Sequence, residues 1–254
     1  MGDNECMNAI DVFKTANISY SRLSSYDKCP RKFKLVYMDG NVAPSGRAAQ
    51  VGKLVHEVLA DYLREKIVEG GVHKPDLAGI ISRHPRVSGQ LIAEKEITSE
   101  ISASDIDVYI RSFCALYPEI NTALIAGIEE VKLFDINGYK VKGVLDLVIR
   151  DESGKIEIID FKTGRPGYVD DLQLIMYSMP YFNDGPHQAI SATFAFLKEP
   201  SRKTIQINRA MSGNTRDVIM GKVQEIETDE QFNRKRGPLC NYCEVRHLCD
   251  GDRN

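Results

Sequence analysis

The chain has 254 residues, 43% of them hydrophobic, which is enough to bury the core of one large domain or two small ones. Its formal net charge of −3 excludes a strongly basic protein that coats nucleic acid, although a local basic groove remains compatible with it. There is no run of about 18 apolar residues and no basic segment followed by an apolar leader, so we expect a cytoplasmic protein without a membrane span.

The first predicted elements are two helices that follow a polar tail over residues 1–17. Serines stand near the start of ISYSRLSSYDKCPRKFKLVYM, whose apolar residues recur at near-helical spacing. Pro30 is expected to interrupt this helix directly after Cys29, because proline cannot donate the helical hydrogen bond. A second helix is predicted over residues 49–69 and carries His56.

The middle and the end of the chain predict a helical insert followed by a sheet. Residues 70–126 have an irregular helical pattern broken by prolines, which indicates packing rather than chemistry. The sheet is expected to begin at EEVKLFDI and to turn at Asn137-Gly138, a dipeptide typical of two-residue hairpins. Beyond it the pattern predicts a helix over residues 170–182, the strands QAISATFAFLK and RKTIQINRA, and a long helix over DVIMGKVQEIETDEQF.

The stretch KVKGVLDLVIRDESGKIEIIDFKTG is predicted to be a second hairpin within the sheet. Its loop ends on Gly154, the position at which a three-residue hairpin loop needs a positive φ angle. This loop pairs Asp151 with Lys155. Counting outward from that pair brings Asp146 opposite Asp160.

Charged residues are expected to converge on one face of this hairpin. Lys162 joins Asp146 and Asp160 there, whereas Leu145 and Leu147 are predicted on the opposite face. Both faces of the hairpin are rich in apolar residues, and an uncompensated buried charge is costly, so the three charges predict a bound metal or ligand. A plain salt bridge between Lys162 and a neighbouring carboxylate is the alternative.

The pattern of Asp146 followed by Asp160-Phe161-Lys162 resembles the core of the PD-(D/E)XK nuclease superfamily. IIDFKTG followed by DLQLIMY is similar to the version found in RecB-type nucleases. The resemblance implies an α/β (α+β) fold with a central mixed β-sheet flanked by helices and a restriction-endonuclease-like core. It also implies one RecB-like nuclease domain over residues 18–254, with the helical insert inside it.

The same resemblance implies roles for individual residues. Two carboxylates suit a hard divalent cation such as Mg²⁺ or Mn²⁺, and the lysine would orient the attacking water and offset charge on the phosphate. A lone histidine on a helix is usually a surface or core residue, but GKLVHEVL is similar to the segment of the family that carries a histidine ligand. The implied metal ligands are His56, Asp146, Asp160 and the backbone carbonyl of Phe161.

The implied catalytic residues extend beyond the hairpin. Gln173 and Tyr177 match the family's Q-x-x-x-Y helix pair, which contacts the DNA backbone or supports the lysine; a packed tyrosine and an exposed glutamine are the alternative. Glu130 stands where relatives carry an acidic residue, with Glu129 beside it leaving that assignment open. The full catalytic set is Asp146, Asp160, Lys162, Gln173, Tyr177 and Glu130.

Four of the six cysteines form a pattern typical of a metal site. Cys240, Cys243 and Cys249 follow a C-x2-C-x5-C spacing near the end of the chain, and Cys29 precedes a proline near its start. Four thiolates suit either a 4Fe-4S cluster or zinc, and the spacing leaves both open. The frame resembles that of iron-sulfur RecB-type nucleases, including CRISPR-associated adaptation nucleases, which implies a 4Fe-4S cluster that joins the N- and C-terminal segments.

Basic residues flank these cysteines and complete the functional hypothesis. Such runs are often solvated faces, but a cluster would make them neighbours and form a DNA-binding rim. We expect a metal-dependent exonuclease acting on single-stranded DNA or duplex ends; a CRISPR end-trimming nuclease working with an integrase, or a non-catalytic DNA-binding module, is the alternative. A helicase or an integrase would be a partner in trans. The predicted rim consists of Arg31, Lys32, Arg234, Lys235 and Arg236.

Overall fold

The computed structural model describes residues 12–13, 16–41, 46–83, 101–167 and 169–249. Its helices, in chain order, are α1 (Tyr20–Lys28), α2 (Pro30–Phe33), α3 (Arg47–Glu69), α4 (Leu77–Arg83), α5 (Ala103–Leu116), α6 (Leu172–Asp184) and α7 (Arg209–Thr228). Its strands are β1 (Val72–His73), β2 (Ile120–Asn121), β3 (Ile125–Ile136), β4 (Tyr139–Arg150), β5 (Ile156–Lys162), β6 (Ala189–Phe196) and β7 (Ser201–Asn208). Within the described ranges, no helix combines the length and the apolar character needed to cross a membrane.

A five-stranded sheet organises the fold. Its strand order is β3-β4-β5-β6-β7, with β5 and β6 parallel and the pairs β4-β5 and β6-β7 antiparallel. Side chains of α3 and α5 pack in one apolar cluster with the sheet, and those of α6 pack in another. The predicted fold class, an α/β (α+β) arrangement with a central mixed sheet flanked by helices, is therefore confirmed.

The chain divides into two compact units, each assembled from segments that are far apart in sequence. Three of the four boundaries fall inside β3, β4 and α7, so these elements continue along the chain from one unit into the other. The single domain over residues 18–254 stays a prediction. The first unit is the described part of Met1–Gly46, Lys132–Gly143 and Gly213–Asn254, and the second is the described part of Arg47–Val131 and Val144–Ser212.

The β4-β5 hairpin has the register that its loop predicted. The backbone N–H of Asp151 donates to the carbonyl of Lys155 at 3.0 Å, and Gly154 has a φ angle of +81°. Val148 accordingly lies opposite Ile158. The Asn-Gly turn between β3 and β4 has φ angles of +52° and +87°, as a two-residue hairpin turn of this kind requires.

The alternation of side chains along β4 is interrupted at Asp146. Leu147 packs in the cluster with α3 and α5, but Leu145 packs with Val148 and Ile158 in the cluster with α6. Residues two apart in a regular strand face the same side, so Leu145 and Leu147 would do so without an interruption. The prediction that they share a face is wrong, because an irregularity of this kind shifts the register of one strand locally.

Several element boundaries differ from the predicted ones. β3 begins at Ile125, before the EEVKLFDI stretch. α7 begins at Arg209, earlier than predicted. The sequence pattern does not indicate this start, because RAMSGNTR has too few apolar residues to show a helical period. Besides α4 and α5, the insert contains the antiparallel pair of β1 and β2, whose two-residue strands are too short to produce a pattern. Residues 84–100 of the predicted insert and residues 1–11 of the predicted tail lie outside the described residues.

The first unit holds the N- and C-terminal segments side by side. Cys29 is extended, with φ −165° and ψ 107°, and Pro30 begins α2, so the helix breaks where it was predicted to break. The Tyr26 hydroxyl donates to Asp229 at 2.8 Å. The rings of Phe33 and Phe232 stack with their centroids 6.3 Å apart. These contacts fix the segment after α7 against the helices that flank Cys29.

Candidate active site

The end of β5 carries a buried carboxylate that is bridged to a lysine by a glutamine. Lys162 Nζ lies 2.7 Å from Asp160 Oδ2 and donates to Gln173 Oε1 at 2.7 Å. The Gln173 amide nitrogen donates to Asp160 Oδ1 at 2.8 Å and to the Tyr177 hydroxyl at 3.0 Å. The charges on both sides fix the orientation of this amide, because an ammonium needs an acceptor and a carboxylate needs a donor.

Helix α6 supplies both polar residues of the predicted Q-x-x-x-Y pair. Gln173 and Tyr177 are one helical turn apart and lie on the same side of α6. Gln173 is only 9% exposed, which contradicts the alternative of a solvent-facing glutamine. The structure therefore brings the pair to Asp160 and Lys162, where it supports the lysine.

A second group forms around Asp146, on the neighbouring strand β4. Asp146 Oδ2 accepts the backbone N–H of Phe161 at 2.7 Å, and its Oδ1 lies 3.2 Å from His56 Nδ1 on α3. Glu129 Oε1 lies 3.9 Å from the same histidine nitrogen. One potential ligand atom from each of His56, Glu129 and Asp146 lies within 4.8 Å of the other two. This spacing is close enough for the three residues to share a cation.

Glu129, and not the predicted Glu130, joins this group. Glu129 has a φ angle of +47°, in the left-handed region, and its side chain turns to His56. Glu130 instead accepts a hydrogen bond from the Tyr181 hydroxyl at 3.0 Å and passes over Gly127, where a Cβ atom would lie 2.8 Å from its carboxylate. Two adjacent glutamates in a strand alternate in direction, so sequence alone could not tell which one turns to His56.

The carboxylates influence one another and the histidine. Burial and then the charge of Asp146 raise the pKa of Asp160, and the same two causes raise the pKa of Glu129. Burial is the largest single influence on His56 and opposes its protonation, but Asp146, Asp160 and Glu129 together outweigh burial and raise the pKa of His56 to about 9. The carboxylates of Asp146, Asp160 and Glu129 thus concentrate negative charge beside His56, and this charge attracts a cation.

The donor set fits a divalent cation. Carboxylate oxygens are the preferred ligands of hard cations, and an imidazole nitrogen adds a ligand that transition ions accept. Asp160 Oδ2 is fully buried and has no hydrogen bond of good geometry, although Lys162 lies beside it. A buried carboxylate oxygen of this kind has coordination capacity to spare. Of the predicted metal ligands, the structure brings His56 and Asp146 into one group and places Asp160 on the adjacent strand.

The four predicted cluster cysteines line a single cavity of about 360 Å³ in the first unit. Cys29, Cys240, Cys243 and Cys249 are all free thiols that are partly exposed. Within the described residues, no three of their sulfur atoms lie within 4.8 Å of one another. The sequence prediction that these four residues meet from opposite ends of the chain matches their positions.

The two predicted basic runs also line this cavity. Lys32 forms an ion pair with Glu244 at 2.8 Å, and Lys235 donates to the backbone carbonyl of Asp27 at 2.8 Å. Arg234 reaches Cys249 Sγ at 4.0 Å. The structure thus brings together all five residues of the predicted rim: Arg31, Lys32, Arg234, Lys235 and Arg236.

Comparison with known proteins identifies a family over nearly the whole chain. The sequence model of the PD-(D/E)XK nuclease superfamily matches residues 17–250. No curated protein sequence matches the chain. Among solved structures, the crystal structure of SSO0001 is similar, with a TM-score of 0.43 and 14% sequence identity, over 98% of this chain and 88% of that one.

Proposed function

The chain belongs to the PD-(D/E)XK nuclease superfamily, and on that premise we propose that it is a divalent-metal-dependent exonuclease that degrades single-stranded DNA or duplex ends. One observation carries the proposal: the Asp160–Lys162 pair lies on the strand next to Asp146, whose carboxylate contacts His56. A scaffold protein has no need of two buried aspartates beside a lysine, because unpaired buried charge is costly.

The residues that would hold Mg²⁺ or Mn²⁺ are Asp146, Asp160 and His56, together with the predicted carbonyl ligand of Phe161. Glu129 joins them because its carboxylate reaches the same histidine. The imidazole favours a transition ion such as Mn²⁺, since Mg²⁺ prefers oxygen ligands alone. A cation bound here supplies Lewis acidity toward the attacking water and neutralises charge on the phosphate.

Lys162 would act on the water and on the phosphate. An ammonium has three hydrogens: one is donated to Gln173, and the ion pair with Asp160 takes up the direction of a second. The third hydrogen can therefore point to a substrate oxygen, while the positive charge offsets the charge that develops on the phosphate. Gln173 and Tyr177 hold this geometry, so their proposed role is to position Lys162.

The experiment that tests this proposal uses purified protein with Mg²⁺ or Mn²⁺ and labelled DNA. Linear single strands and duplex ends should be degraded, whereas circular single strands should survive because an exonuclease needs an end. Asp160→Ala and Lys162→Ala should abolish degradation, and Glu152→Ala, which changes an exposed carboxylate in the same hairpin loop, should retain it. Full activity in either site variant would rule out this mechanism.

We also propose that the four cysteines bind a 4Fe-4S cluster rather than zinc. Around one zinc ion, thiolates at 2.3 Å must lie about 3.8 Å from each other. Within the described part of the chain, no three of the cysteine sulfurs lie within 4.8 Å of one another, and the cavity of about 360 Å³ exceeds the space of a single ion. In a 4Fe-4S cluster each cysteine sulfur binds a different iron, so the four sulfurs lie farther apart than they do around one zinc ion. Assays of iron, sulfide and zinc in an anaerobic preparation test this, and zinc without iron would contradict it.

The cysteine arrangement also supports a second candidate, a nuclease that trims DNA ends for a CRISPR integrase. Co-purification with an integrase would favour this role, and co-purification with a helicase would favour a general exonuclease. A non-catalytic DNA-binding module predicts binding in the presence of a chelator and no cleavage with any divalent metal. The DNA-binding role of the basic rim and the cytoplasmic location remain part of the proposal.

A further inference from the structure

An exposed aromatic residue stands in the middle of the cysteine segment. Tyr242 is 86% exposed, and Leu239, in the same 3₁₀ turn over Pro238–Tyr242, is 61% exposed. Both line the cysteine cavity. Neither a cysteine ligand nor the proposed catalysis requires a large ring at this position, and a tyrosine is on average at least partly buried. The exposed ring therefore calls for a function of its own.

The charged residues that line the cavity are all basic, although Lys32 forms an ion pair with the neighbouring Glu244. Seven of the residues that line the cavity are basic and none is acidic. A basic lining of this kind suits a polyanion that passes over the cavity mouth. The basic residues are Lys28, Arg31, Lys32, Arg234, Lys235, Arg236 and Arg246.

We propose that Tyr242 is a stacking platform for a base of single-stranded DNA, with the surrounding basic residues holding the phosphates. The proposal rests on the proposed nuclease function, because it names the form of the substrate. A basic surface alone holds any phosphate backbone, but a ring can stack only on a base whose face is open. Bases inside a duplex cover one another, so Tyr242 selects single strands or frayed ends.

Tyr242 lies between two cysteines in a turn that is fixed before DNA binds. Cys240 donates its backbone N–H to Gly237 at 3.0 Å, and Cys243 donates to Cys240 at 3.4 Å, so the turn is closed by its own hydrogen bonds. A group bound by Cys240 and Cys243 would hold both ends of the segment that carries the ring. A ring fixed before binding loses little freedom on binding, which favours affinity.

The test measures binding by full-length protein that carries its cluster, in an Asp160→Ala background that prevents cleavage. At one fixed salt concentration, affinity is compared for labelled oligo(dT), an abasic strand of the same length and a duplex. Tyr242→Ala should weaken binding of oligo(dT) by about 5- to 150-fold, the range that loss of one stacked base produces. Binding of the abasic strand should not change, because it has no base to stack.

Two variants control this measurement. Tyr242→Phe keeps the ring and should bind oligo(dT) as the parent protein does, and Val218→Ala changes an exposed residue of α7 in the same unit. Equal iron and sulfide contents in all variants establish that the cysteine segment is intact. The proposal is overturned if Tyr242→Ala binds oligo(dT) normally, if it loses affinity for the abasic strand to the same extent, or if no DNA is bound.

Failure of this inference can be distinguished from failure of the nuclease proposal. Cleavage is measured separately, with the wild-type aspartate and Mn²⁺ present. Protein that shows the expected effect of Tyr242→Ala on binding but cleaves no DNA contradicts the nuclease proposal alone. An active nuclease whose Tyr242→Ala variant binds oligo(dT) like the parent contradicts the stacking proposal alone.

Discussion

Glu129 reaches the candidate metal site through a backbone conformation that residues with a side chain rarely adopt. Its φ angle of +47° lies in the left-handed region, which costs on the order of 1–2 kcal/mol for such a residue. The conformation turns Glu129 to His56, while Glu130 turns to Tyr181. Strain of this kind is often kept where it places a functional group, which makes Glu129 the better candidate ligand.

The two adjacent glutamates offer a matched test at the residue scale. Glu129→Gln should lower the affinity for Mn²⁺ by about 10-fold or more, because a carboxylate in the ligand group is replaced by a neutral amide. Glu130→Gln should leave the affinity unchanged, since an amide oxygen still accepts from Tyr181. Glutamine has backbone preferences similar to those of glutamate, so both substitutions should leave the backbone conformation unchanged. Calorimetric titration with Mn²⁺ measures the difference in affinity between the two variants. A larger loss in Glu130→Gln would contradict the assignment.

The motif residues of the site could be predicted from sequence, but not every residue that lies beside them could be. Four motif residues meet because side chains two apart on a regular strand, and four apart on a helix, lie on the same side. The family motif has this spacing, and it is formed here by Asp160, Lys162, Gln173 and Tyr177. Glu129 could not be predicted, because its left-handed backbone conformation interrupts the period of two on which the strand pattern depends.

At the scale of elements, a glycine in α3 allows this helix to lie close to the end of β5. A Cβ atom at Gly52 would lie 2.9 Å from Thr163 Oγ1, closer than side-chain carbons normally come to an oxygen. Gly52 is one helical turn before His56, so both residues lie on the side of α3 that faces the site. The close approach that the glycine permits is thus part of how α3 places His56 next to Asp146.

Gly52→Ala tests this close approach. Alanine in place of glycine inside a helix ordinarily stabilises it by about 1 kcal/mol. Here we expect the opposite sign, a loss of about 1–3 kcal/mol from overpacking together with weaker Mn²⁺ binding, because α3 or Thr163 must move. Chemical denaturation and calorimetric titration measure the two effects.

Thr163→Ala provides the control, because it removes the oxygen that the new methyl group would meet. The nearest remaining atom, the Cβ of residue 163, would be 3.9 Å away, an ordinary contact distance. In this background Gly52→Ala should be neutral or stabilising and should leave Mn²⁺ affinity as it is in Thr163→Ala alone. An equal loss in both backgrounds would show that the contact with Thr163 is not the cause.

The β4-β5 loop leads to a second prediction at this scale. Gly154→Ala should destabilise the protein by about 1–2 kcal/mol, because φ at this position is +81° and a side chain disfavours that region. Gly164→Ala is the matched control, since a Cβ atom there meets no other atom within 4 Å and its φ lies outside the left-handed range. Denaturant midpoints compare the two, and equal midpoints would contradict the role of the loop.

Elements with a clear period or a specific turn could be predicted from sequence, and others could not. Helix α3 and the β4-β5 hairpin show the apolar spacing and the glycine that their structures require. The pair of β1 and β2 shows neither, because two residues cannot display an alternation. The start of α7 was missed for a related reason: its first turns carry few apolar side chains, so packing after β7 rather than local pattern determines where the helix begins.

At the scale of the whole molecule, the first unit joins segments from the two ends of the chain to the internal segment Lys132–Gly143. Cys29 and Cys240 are more than 200 residues apart in sequence and line the same cavity. The resemblance to the four-cysteine frame of iron-sulfur RecB-type nucleases implied that they meet, because Cys29 precedes a proline and the other three follow C-x2-C-x5-C. The division into two units could not be predicted, since three of its four boundaries fall inside continuous strands and a helix.

A group bound by these cysteines would cross-link a very long loop. By analogy with disulfides, closing a loop of this length removes unfolded-state entropy worth about 5 kcal/mol. Cys29→Ser should therefore release iron and lower the free energy of unfolding by up to about that amount. Cys114→Ser, at a partly buried helix cysteine outside the cavity, should retain iron and the stability that the cross-link provides. Iron content and denaturant unfolding measure both.

The origin of this stability can be separated from simple packing of the thiol. In protein from which the bound group has been removed, Cys29→Ser should cost almost nothing, because no cross-link is left to lose. In loaded protein the same substitution removes the cross-link and its full effect appears. A similar cost in both states would mean that Cys29 stabilises the first unit by packing next to α1 and α2, and the cysteines would then not act as a clamp on the ends of the chain.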